Sequence, residues 1–277
     1  MPNDKRGEFG YNDSSGLHER RPLKKDVRIP GRKRSLQMFY YNEPSLTFQI
    51  LLVIAAVIPA LVLMFLVYRS DRLEKESRHL LFVLARAGVF ATLIAMVLER
   101  LGERLLVWAI DSEVLFNLLL YFVVVAVSEE GAKYFLMKRR TWRNPEFNCL
   151  YDGVVYAVFV SLGFALWENI SYVLIFGLGT ALIRAFTAIP GHACFGVFMG
   201  VFYGLAKQAE NMGDAAESKK YRSLALAAPI VLHGAYDYIA TMDADWGAAV
   251  FFAFIGVMFC VAFILMRRMS RRDQYIR

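Results

Sequence analysis

The sequence predicts an all-α protein, a polytopic transmembrane helical bundle with about seven spans. Hydrophobic residues make up 57% of its 277 residues, charged residues make up only 21%, and the mean hydropathy is positive. A soluble domain of this length rarely has such a composition. A spanning helix needs roughly 20 mostly apolar residues. Segments of that kind lie at 45–68, 79–98, 114–138, 151–176, 180–206, 221–241 and 246–266.

The chain divides into two regions of different composition. Residues 1–43 form a polar, basic tail with repeated Lys, Arg, Gly, Pro and Ser. Such a segment buries too little apolar surface to offset its ordering entropy, so we expect the tail to be disordered or associated with a surface. Residues 44–277 hold all the candidate spans and form the transmembrane domain. We therefore expect a multi-pass protein of the cell membrane, that is, the plasma or inner membrane.

Basic residues predict the orientation, because Lys and Arg are retained on the cytoplasmic side. Alternate connections and the C-terminus are rich in them, as in Arg69–Arg78 and Lys138–Arg143, whereas the opposite set holds only Arg100 and Arg104. Seven spans with a cytoplasmic C-terminus would place the basic tail outside, against the rule. Either the tail is an exception or one of the first spans is re-entrant. The net charge of +7 then indicates contact with anionic lipid and no nucleic-acid partner.

The third candidate span ends in two adjacent carboxylates. Glu129 and Glu130 follow a long apolar run, and Lys133 lies four residues after Glu129. Adjacent helical residues diverge by about 100°, so one glutamate can face a site while the other faces a neighbouring helix. A Glu–Lys pair that merely ends the helix at the membrane interface is the structural alternative.

The fourth and fifth spans each carry a polar group past apolar residues. Glu168 and Asn169 are adjacent, and a buried packing hydrogen bond would explain the amide but not the carboxylate, since a charge in hydrocarbon costs about 2.5–3.5 kcal/mol. His192 follows Pro190, which is expected to kink the helix. A glycine stripe continues the face of the histidine and predicts close approach of another helix: Gly196, Gly200 and Gly204.

The sixth span places an imidazole and a carboxylate four residues apart, and therefore on one helical face. In His233-Gly234-Ala235-Tyr236-Asp237, Asp237 can fix the tautomer and orientation of His233. A single histidine in a span is usually a packing residue. Two of them on different helices, together with the carboxylates, favour a functional site.

Four spaced motifs in this order resemble the PrsW family of intramembrane proteases, which is distantly similar to the CAAX-prenyl-protease and bacteriocin-processing membrane enzymes. The motifs are Glu129-Glu130-x-x-Lys133, Phe164-x-x-x-Glu168-Asn169, His192-x-x-x-Gly196 and His233-x-x-x-Asp237. The resemblance covers about residues 114–241, the expected catalytic core. It implies an endopeptidase that cuts a membrane-anchored protein substrate, typified by an anti-sigma factor cleaved at its extracytoplasmic side in a stress-response cascade.

The resemblance and the residues together suggest a mechanism in which Glu129, Glu130, Glu168, His192 and His233 are catalytic. Peptide hydrolysis needs an activated water, a donor for the oxyanion and an acid for the leaving amine. Either glutamate of the pair is the expected base. The histidines polarise the carbonyl directly or as ligands of a metal.

The supporting residues and the metal complete that mechanism. Lys133, Asn169 and Asp237 support the site, with Asn169 as the expected oxyanion donor. A metal ion would take His192, His233 and Glu168 as ligands, a set that suits catalytic Zn²⁺. A site that works without metal is equally compatible with these residues.

Two other classes of function remain open at this point. A proton-coupled transporter or channel would also use intramembrane Glu, His and Asp residues as a relay, although the chain has no internal repeat of the kind that many such transporters carry. A non-catalytic membrane scaffold would keep the same polar cluster for packing alone.

Overall fold

A computed structural model describes residues 45–276, and the predicted disordered tail lies outside the described residues. Helices account for nearly all of this part of the chain, and no β-strand occurs within it. The helices are α1 (Leu46–Ser70), α2 (Arg78–Ala109), α3 (Glu113–Leu119), α4 (Ala126–Thr141), α5 (Asp152–Phe176), α6 (Leu178–Phe186), α7 (Ala188–Asn211), α8 (Ala215–Ala240) and α9 (Gly247–Arg271). The all-α prediction is confirmed.

Six of the candidate spans are long and apolar enough to cross a membrane. They are α1, α2, the continuous segment Glu113–Thr141, α5, the pair α6 and α7, and α9. The seventh candidate, 221–241, lies in α8, which has 26 residues but begins with a charged, polar stretch. Helix α8 packs between α4, α7 and α9, so it belongs to the same bundle.

The fifth span is broken where its proline requires it. Helix α6 ends at Phe186, and Thr187 leaves helical geometry with φ of −118°. Pro190 lies in the first turn of α7, and its ring would clash with the carbonyl four residues earlier, that of Phe186. The expected kink is therefore a break between two helices, located one turn before His192.

The glycine stripe of α7 packs against the buried first half of α5. A β-carbon on Gly200 would lie 2.4 Å from Cα of Val154, and one on Gly204 would lie 2.4 Å from the Leu150 carbonyl oxygen. Only glycine permits so close an approach. The predicted packing is confirmed, and His192 on the same face is 4% exposed, so it faces protein.

The connections rich in basic residues lie on one face of the bundle, as their alternation predicts. Hydrogen bonds join them and the C-terminal segment in three places: Ser77 to Glu146, Leu150 to Gln274, and Asn211 to Ile276. We call this face the basic face. Helix α8 starts at the basic face and ends on the opposite side of the bundle.

The helices that carry the polar residues are staggered. The carbonyl of Trp142, just past α4, accepts a hydrogen bond of 3.0 Å from Lys207 of α7, and the guanidinium of Arg222 of α8 lies 5.4 Å from the Trp142 ring. Helices α7 and α8 therefore extend past the end of α4 at the basic face. This offset brings Glu130, in the N-terminal half of α4, level with His233.

A π-helical segment also adjusts the third span. Residues Leu120–Val125 have π-helical geometry between α3 and α4. They bring Phe122 against α8, where a β-carbon on Gly234 would lie 2.6 Å from the Phe122 ring. Such π segments change the phase of a helix and occur often at functional sites. Here the segment sets the rotation of α4 just before Glu129.

Candidate active site

Lys133 lies at the centre of the polar cluster. Its side chain is fully buried, and its ammonium donates to Glu130 Oε1 at 2.8 Å, to Glu129 Oε2 at 3.0 Å and to Nδ1 of His192 at 3.2 Å. The ammonium also lies 3.9 Å from the centroid of the Phe164 ring. An ammonium has three N–H donors, and all three are used. The pair is thus part of a buried network and does not simply end the helix at the interface.

The two glutamates face different surroundings, as adjacent helical residues should. Glu129 lines a cavity between the helices. Glu130 is fully buried and points towards α8, where its Oε1 lies 2.9 Å from Nδ1 of His233. Its second oxygen, Oε2, is buried without a hydrogen-bond partner among the described residues.

The contacts of His192 determine its tautomer. Nδ1 faces the ammonium of Lys133, which can only donate, so Nδ1 is the acceptor. Nε2 then carries the hydrogen and donates to Oε2 of Glu168 at 2.9 Å. One ring therefore links the α4 carboxylates, through Lys133, to the carboxylate of α5.

His233 is held between two carboxylates. Nδ1 lies 2.9 Å from Glu130, and Nε2 lies 3.3 Å from Asp237 on the next turn of α8. Phe195 of α7 stacks on the imidazole with centroids 4.7 Å apart and planes within 18°. The predicted contact between His233 and Asp237 is present. The ring is fixed on both edges and on one face.

Arg184 also belongs to the candidate site, although the sequence motifs predict no role for it. Its guanidinium lies 2.9 Å from Oε2 of Glu168, and its Nε donates to the side-chain oxygen of Asn169 at 3.0 Å. The amide nitrogen of Asn169 donates to the Ala56 carbonyl of α1. Arg184 is the only Lys or Arg between Arg143 and Lys207. An isolated charge within an apolar run was the signal that could have found it.

The acidic and histidine residues surround one cavity of about 360 Å³. Its lining includes Glu129, Glu168, His192, His233 and Asp237, together with residues not singled out from the sequence: Glu99, Tyr121, Tyr172, Arg184 and Tyr236. It also includes Ala240 and Thr241, at the far end of α8 from the basic face. The cavity therefore lies towards the opposite face.

The predicted site residues come together with one exception. Of the six predicted acidic and histidine residues, five line the cavity, and the sixth, Glu130, lies directly behind it. Asn169 is fully buried and does not belong to the lining. Its amide donates one hydrogen bond, to the Ala56 carbonyl of α1, and its side-chain oxygen accepts one from Arg184. Asn169 is therefore placed to orient Arg184.

Three donors of the cluster lie close enough together to hold a metal ion. One ligand atom each from Glu129, Glu130 and His192 lie within 4.8 Å of one another. Two carboxylates and an imidazole are donors that suit a divalent cation, and the unpartnered Oε2 of Glu130 is a free ligand atom. The ammonium of Lys133 now bonds the same three residues, which is itself a sign that they attract a cation.

The family follows from a comparison with known proteins. The model of the PrsW family intramembrane metalloprotease matches residues 75–266. The chain belongs to this family. It is 34% identical to the protease PrsW of Geobacillus kaustophilus, over 71% of this chain and 82% of the relative. It is 32% identical to the protease PrsW of Halalkalibacterium halodurans, over 80% of this chain and 97% of the relative.

A more distant PrsW relative agrees with this assignment. The protease PrsW of Bacillus subtilis is 29% identical over 69% of this chain and 84% of its own length. No solved structure matches the chain. As a PrsW family member, the chain is a multi-pass membrane protein and an intramembrane protease that acts on a protein substrate, and the family's metalloprotease class implies a metal ion.

Proposed function

We propose that this protease cuts a membrane-anchored protein in the cavity between α4, α5, α7 and α8, on the side of the bundle opposite the basic face. One observation carries the proposal: Glu129, Glu168, His192 and His233 line the same cavity, which ends at Ala240 and Thr241. If the basic face is cytoplasmic, the cut is extracytoplasmic. A substrate with a single span would reach the cavity from that side.

Glu129 is the proposed general base. It faces the cavity, whereas Glu130 lies behind it. A carboxylate in that position can take a proton from a water molecule as the water oxygen attacks the scissile carbonyl carbon. Lys133 holds Glu129 from the opposite direction, so the carboxylate stays aimed into the cavity while the bond forms.

His233 is the proposed partner for the leaving amine. Glu130 and Asp237 fix its two nitrogens, and Phe195 fixes its plane. As the C–N bond breaks, the departing nitrogen needs a proton, which the His233 ring or the newly protonated Glu129 can supply. His192, held by Lys133 and Glu168, is the second cavity imidazole and presents its N–H near the same space.

Arg184 replaces Asn169 as the proposed donor for the oxyanion. The guanidinium lines the cavity beside Glu168, with a side chain 15% exposed. A fixed positive donor stabilises charge that develops on the carbonyl oxygen. Asn169 then acts on Arg184 from behind, through its hydrogen bond to Nε.

Zinc is the proposed metal, and two ligand sets compete for it. The set suggested by the motifs is His192, His233 and Glu168, and the set of converging donors is Glu129, Glu130 and His192. When bound, such an ion polarises a carbonyl and acidifies a bound water. Metal content after purification, measured by inductively coupled plasma mass spectrometry, separates the sets. Loss of zinc in Glu130→Gln but not in Glu168→Gln favours the converging donors, and the reverse favours the other set.

Two finer proposals concern the partners. An anti-sigma factor with one span is the proposed substrate, because such a protein is the typical substrate of the family that this chain resembles. Anionic lipid headgroups are the proposed neighbours of the basic face, because clustered Lys and Arg beside membrane spans attract them. Neither the identity of the substrate nor the surrounding lipid changes the roles of the residues in the cavity.

The position of the cut tests the proposal. The full chain is reconstituted in liposomes with a single-span substrate that carries different tags at its two ends, and the fragments are identified by mass spectrometry. We expect one cut near the substrate end that lies opposite the basic face, and its loss with a chelator. A cut at the basic face, or proton flux across the liposome without any cut, would overturn the proposal.

A further inference from the structure

A groove along α1, α7 and α9 joins an apolar space to a basic one. The apolar part, of about 560 Å³, lies between α1, α7 and α9, with Leu63, Cys194 and Phe259 among its walls. The basic part, of about 330 Å³, lies between the ends of α1 and α9 at the basic face. Leu66, Ser70 and Arg267 line both parts, so the two form one continuous groove.

The basic part is formed mainly by arginines. It is lined by Arg69 and Arg72 from the end of α1 and by Arg267 and Arg271 from the end of α9. Within residues 45–276, none of the four has a carboxylate within ion-pairing distance. Four like charges around one space repel each other, and an anion placed between them would relieve that repulsion. Guanidinium groups match phosphate oxygens in geometry as well as charge.

The helix ends around this pocket are fixed to each other. The hydroxyl of Ser270 donates to the carbonyl oxygen of Ser70, which ties α9 to α1 beneath the arginines. The guanidinium of Arg267 lies 4.5 Å from the centroid of the Phe263 ring, and both side chains line the apolar part. The last turns of α9 thus contribute both to the basic part and to the apolar part of the groove.

We propose that this groove binds one anionic phospholipid, with its phosphate among the four arginines and its acyl chains along α1, α7 and α9. Charge complementarity selects the headgroup, and the apolar part lies between helices that are long and apolar enough to span a membrane. Basic pockets between spans on the cytoplasmic side favour anionic headgroups. The groove is separate from the active-site cavity, since the two linings share no residue. The proposal does not depend on the catalytic roles given above.

Native mass spectrometry of the full chain in detergent, titrated with phosphatidylglycerol or phosphatidylcholine, tests this site. We expect one phosphatidylglycerol to bind at least ten-fold more tightly than phosphatidylcholine. The double variant Arg267→Gln/Arg271→Gln should weaken phosphatidylglycerol binding by roughly 25-fold, at about five-fold for each charge near the surface. The matched control is Arg268→Gln/Arg272→Gln, which removes the same charge from the same helix end outside the groove and should change binding by less than two-fold.

A second pair of variants tests the apolar part. Cys260 lines the groove and is exposed, so Cys260→Trp should fill the space and displace the lipid. Val257→Trp, on the exposed surface of α9 outside the groove, should leave binding unchanged. Equal losses in the two arginine pairs would mean diffuse surface charge. Equal binding of glycerol phosphate would mean a free phosphate site, and dimerisation lost in Cys260→Trp with lipid binding intact would mean a contact between copies. Any of these three results would overturn the proposal.

Discussion

The ammonium of Lys133 lies 3.2 Å from Nδ1 of His192 while it also bonds both glutamates of α4. This relationship connects the carboxylate pair to the rest of the site. It fixes the tautomer of His192 and, through it, the hydrogen bond to Glu168. A single buried cation therefore orients three groups that face or adjoin the cavity.

Removal of that cation should disrupt the site and the fold together. Lys133→Met leaves two buried carboxylates without their counter-charge, and breaking a buried pair in this way costs about 3–5 kcal/mol. We expect a clear fall in the thermal midpoint measured in detergent and loss of proteolysis. The double variant Lys133→Met/Glu130→Gln should recover part of the midpoint, because one uncompensated charge is gone. No recovery would mean that Lys133 stabilises the bundle by packing alone.

Arg184 should affect catalysis more than stability. Arg184→Gln removes the 2.9 Å ion pair to Glu168 and the proposed oxyanion donor, and we expect kcat to fall by about 10²-fold or more. Arg184→Lys keeps the charge but loses the planar guanidinium that bonds both Glu168 and Asn169. Its kcat should therefore lie between those of the wild type and Arg184→Gln. Steady-state kinetics on a tagged substrate measures both. Wild-type kcat in Arg184→Gln would remove Arg184 from the mechanism.

The residue types of the candidate site were predictable from the sequence, but the contacts that these residues make with other helices were not. A carboxylate or imidazole in an apolar run has a free-energy cost that marks it as a candidate site residue. On this ground the sequence predicts Glu129, Glu130, Glu168, His192 and His233, which lie together in the structure. The i to i+4 spacing gave the contact of His233 with Asp237. Each of these signals lies within one helix, so it can be read from the sequence without knowledge of how the helices pack.

The sequence did not reveal which side chains meet across helices. The π-helical turn at Leu120–Val125 has no residue signature, yet it rotates α4. Asn169 was expected to face the substrate, but the residue lies against α1, and only the packing shows this. Arg184 received no role from the sequence, because its partner Glu168 lies on another helix.

Close packing of α7 on α5 should depend on Gly200. Gly200→Ala would place a β-carbon 2.5 Å from the Gly153 carbonyl oxygen and closer still to Val154. These are backbone atoms that cannot move cheaply, so the overpacking should cost about 1–3 kcal/mol and lower the thermal midpoint. Gly256→Ala in α9 is the control, because its β-carbon would meet nothing within 4 Å. Equal midpoints for the two variants would contradict the predicted α5–α7 contact.

The pH dependence of stability should carry a contribution from Glu76. Burial raises the pKa of Glu76 from 4.5 to about 7, against the hydrogen bond from Tyr156 that lowers it. The folded protein then holds this proton more tightly than the unfolded chain, so stability falls as pH rises from about 4.5 to 7. We expect a lower thermal midpoint at pH 7.5 than at pH 5.

Glu76→Gln tests the origin of that slope, since an amide does not titrate. The variant should reduce the fall of the thermal midpoint between pH 5 and pH 7.5, while Asp71, whose pKa burial raises to about 6, keeps part of it. Glu74→Gln removes one negative charge from an exposed residue of the same connection and should keep the slope of the wild type. A slope unchanged in Glu76→Gln would assign the effect to another group.

In the proposed mechanism, Glu129 faces the cavity and activates the water that cuts the peptide bond. The most direct test is the initial rate of cleavage of a tagged single-span substrate in proteoliposomes, for wild type, Glu129→Gln and Glu103→Gln. Glu103 is an exposed carboxylate of α2 outside the cavity lining, so its variant should keep the wild-type rate. General-base catalysis contributes about 10²–10⁴-fold, and we predict a loss of at least 10²-fold in Glu129→Gln. A rate within a few-fold of wild type would contradict this role of Glu129.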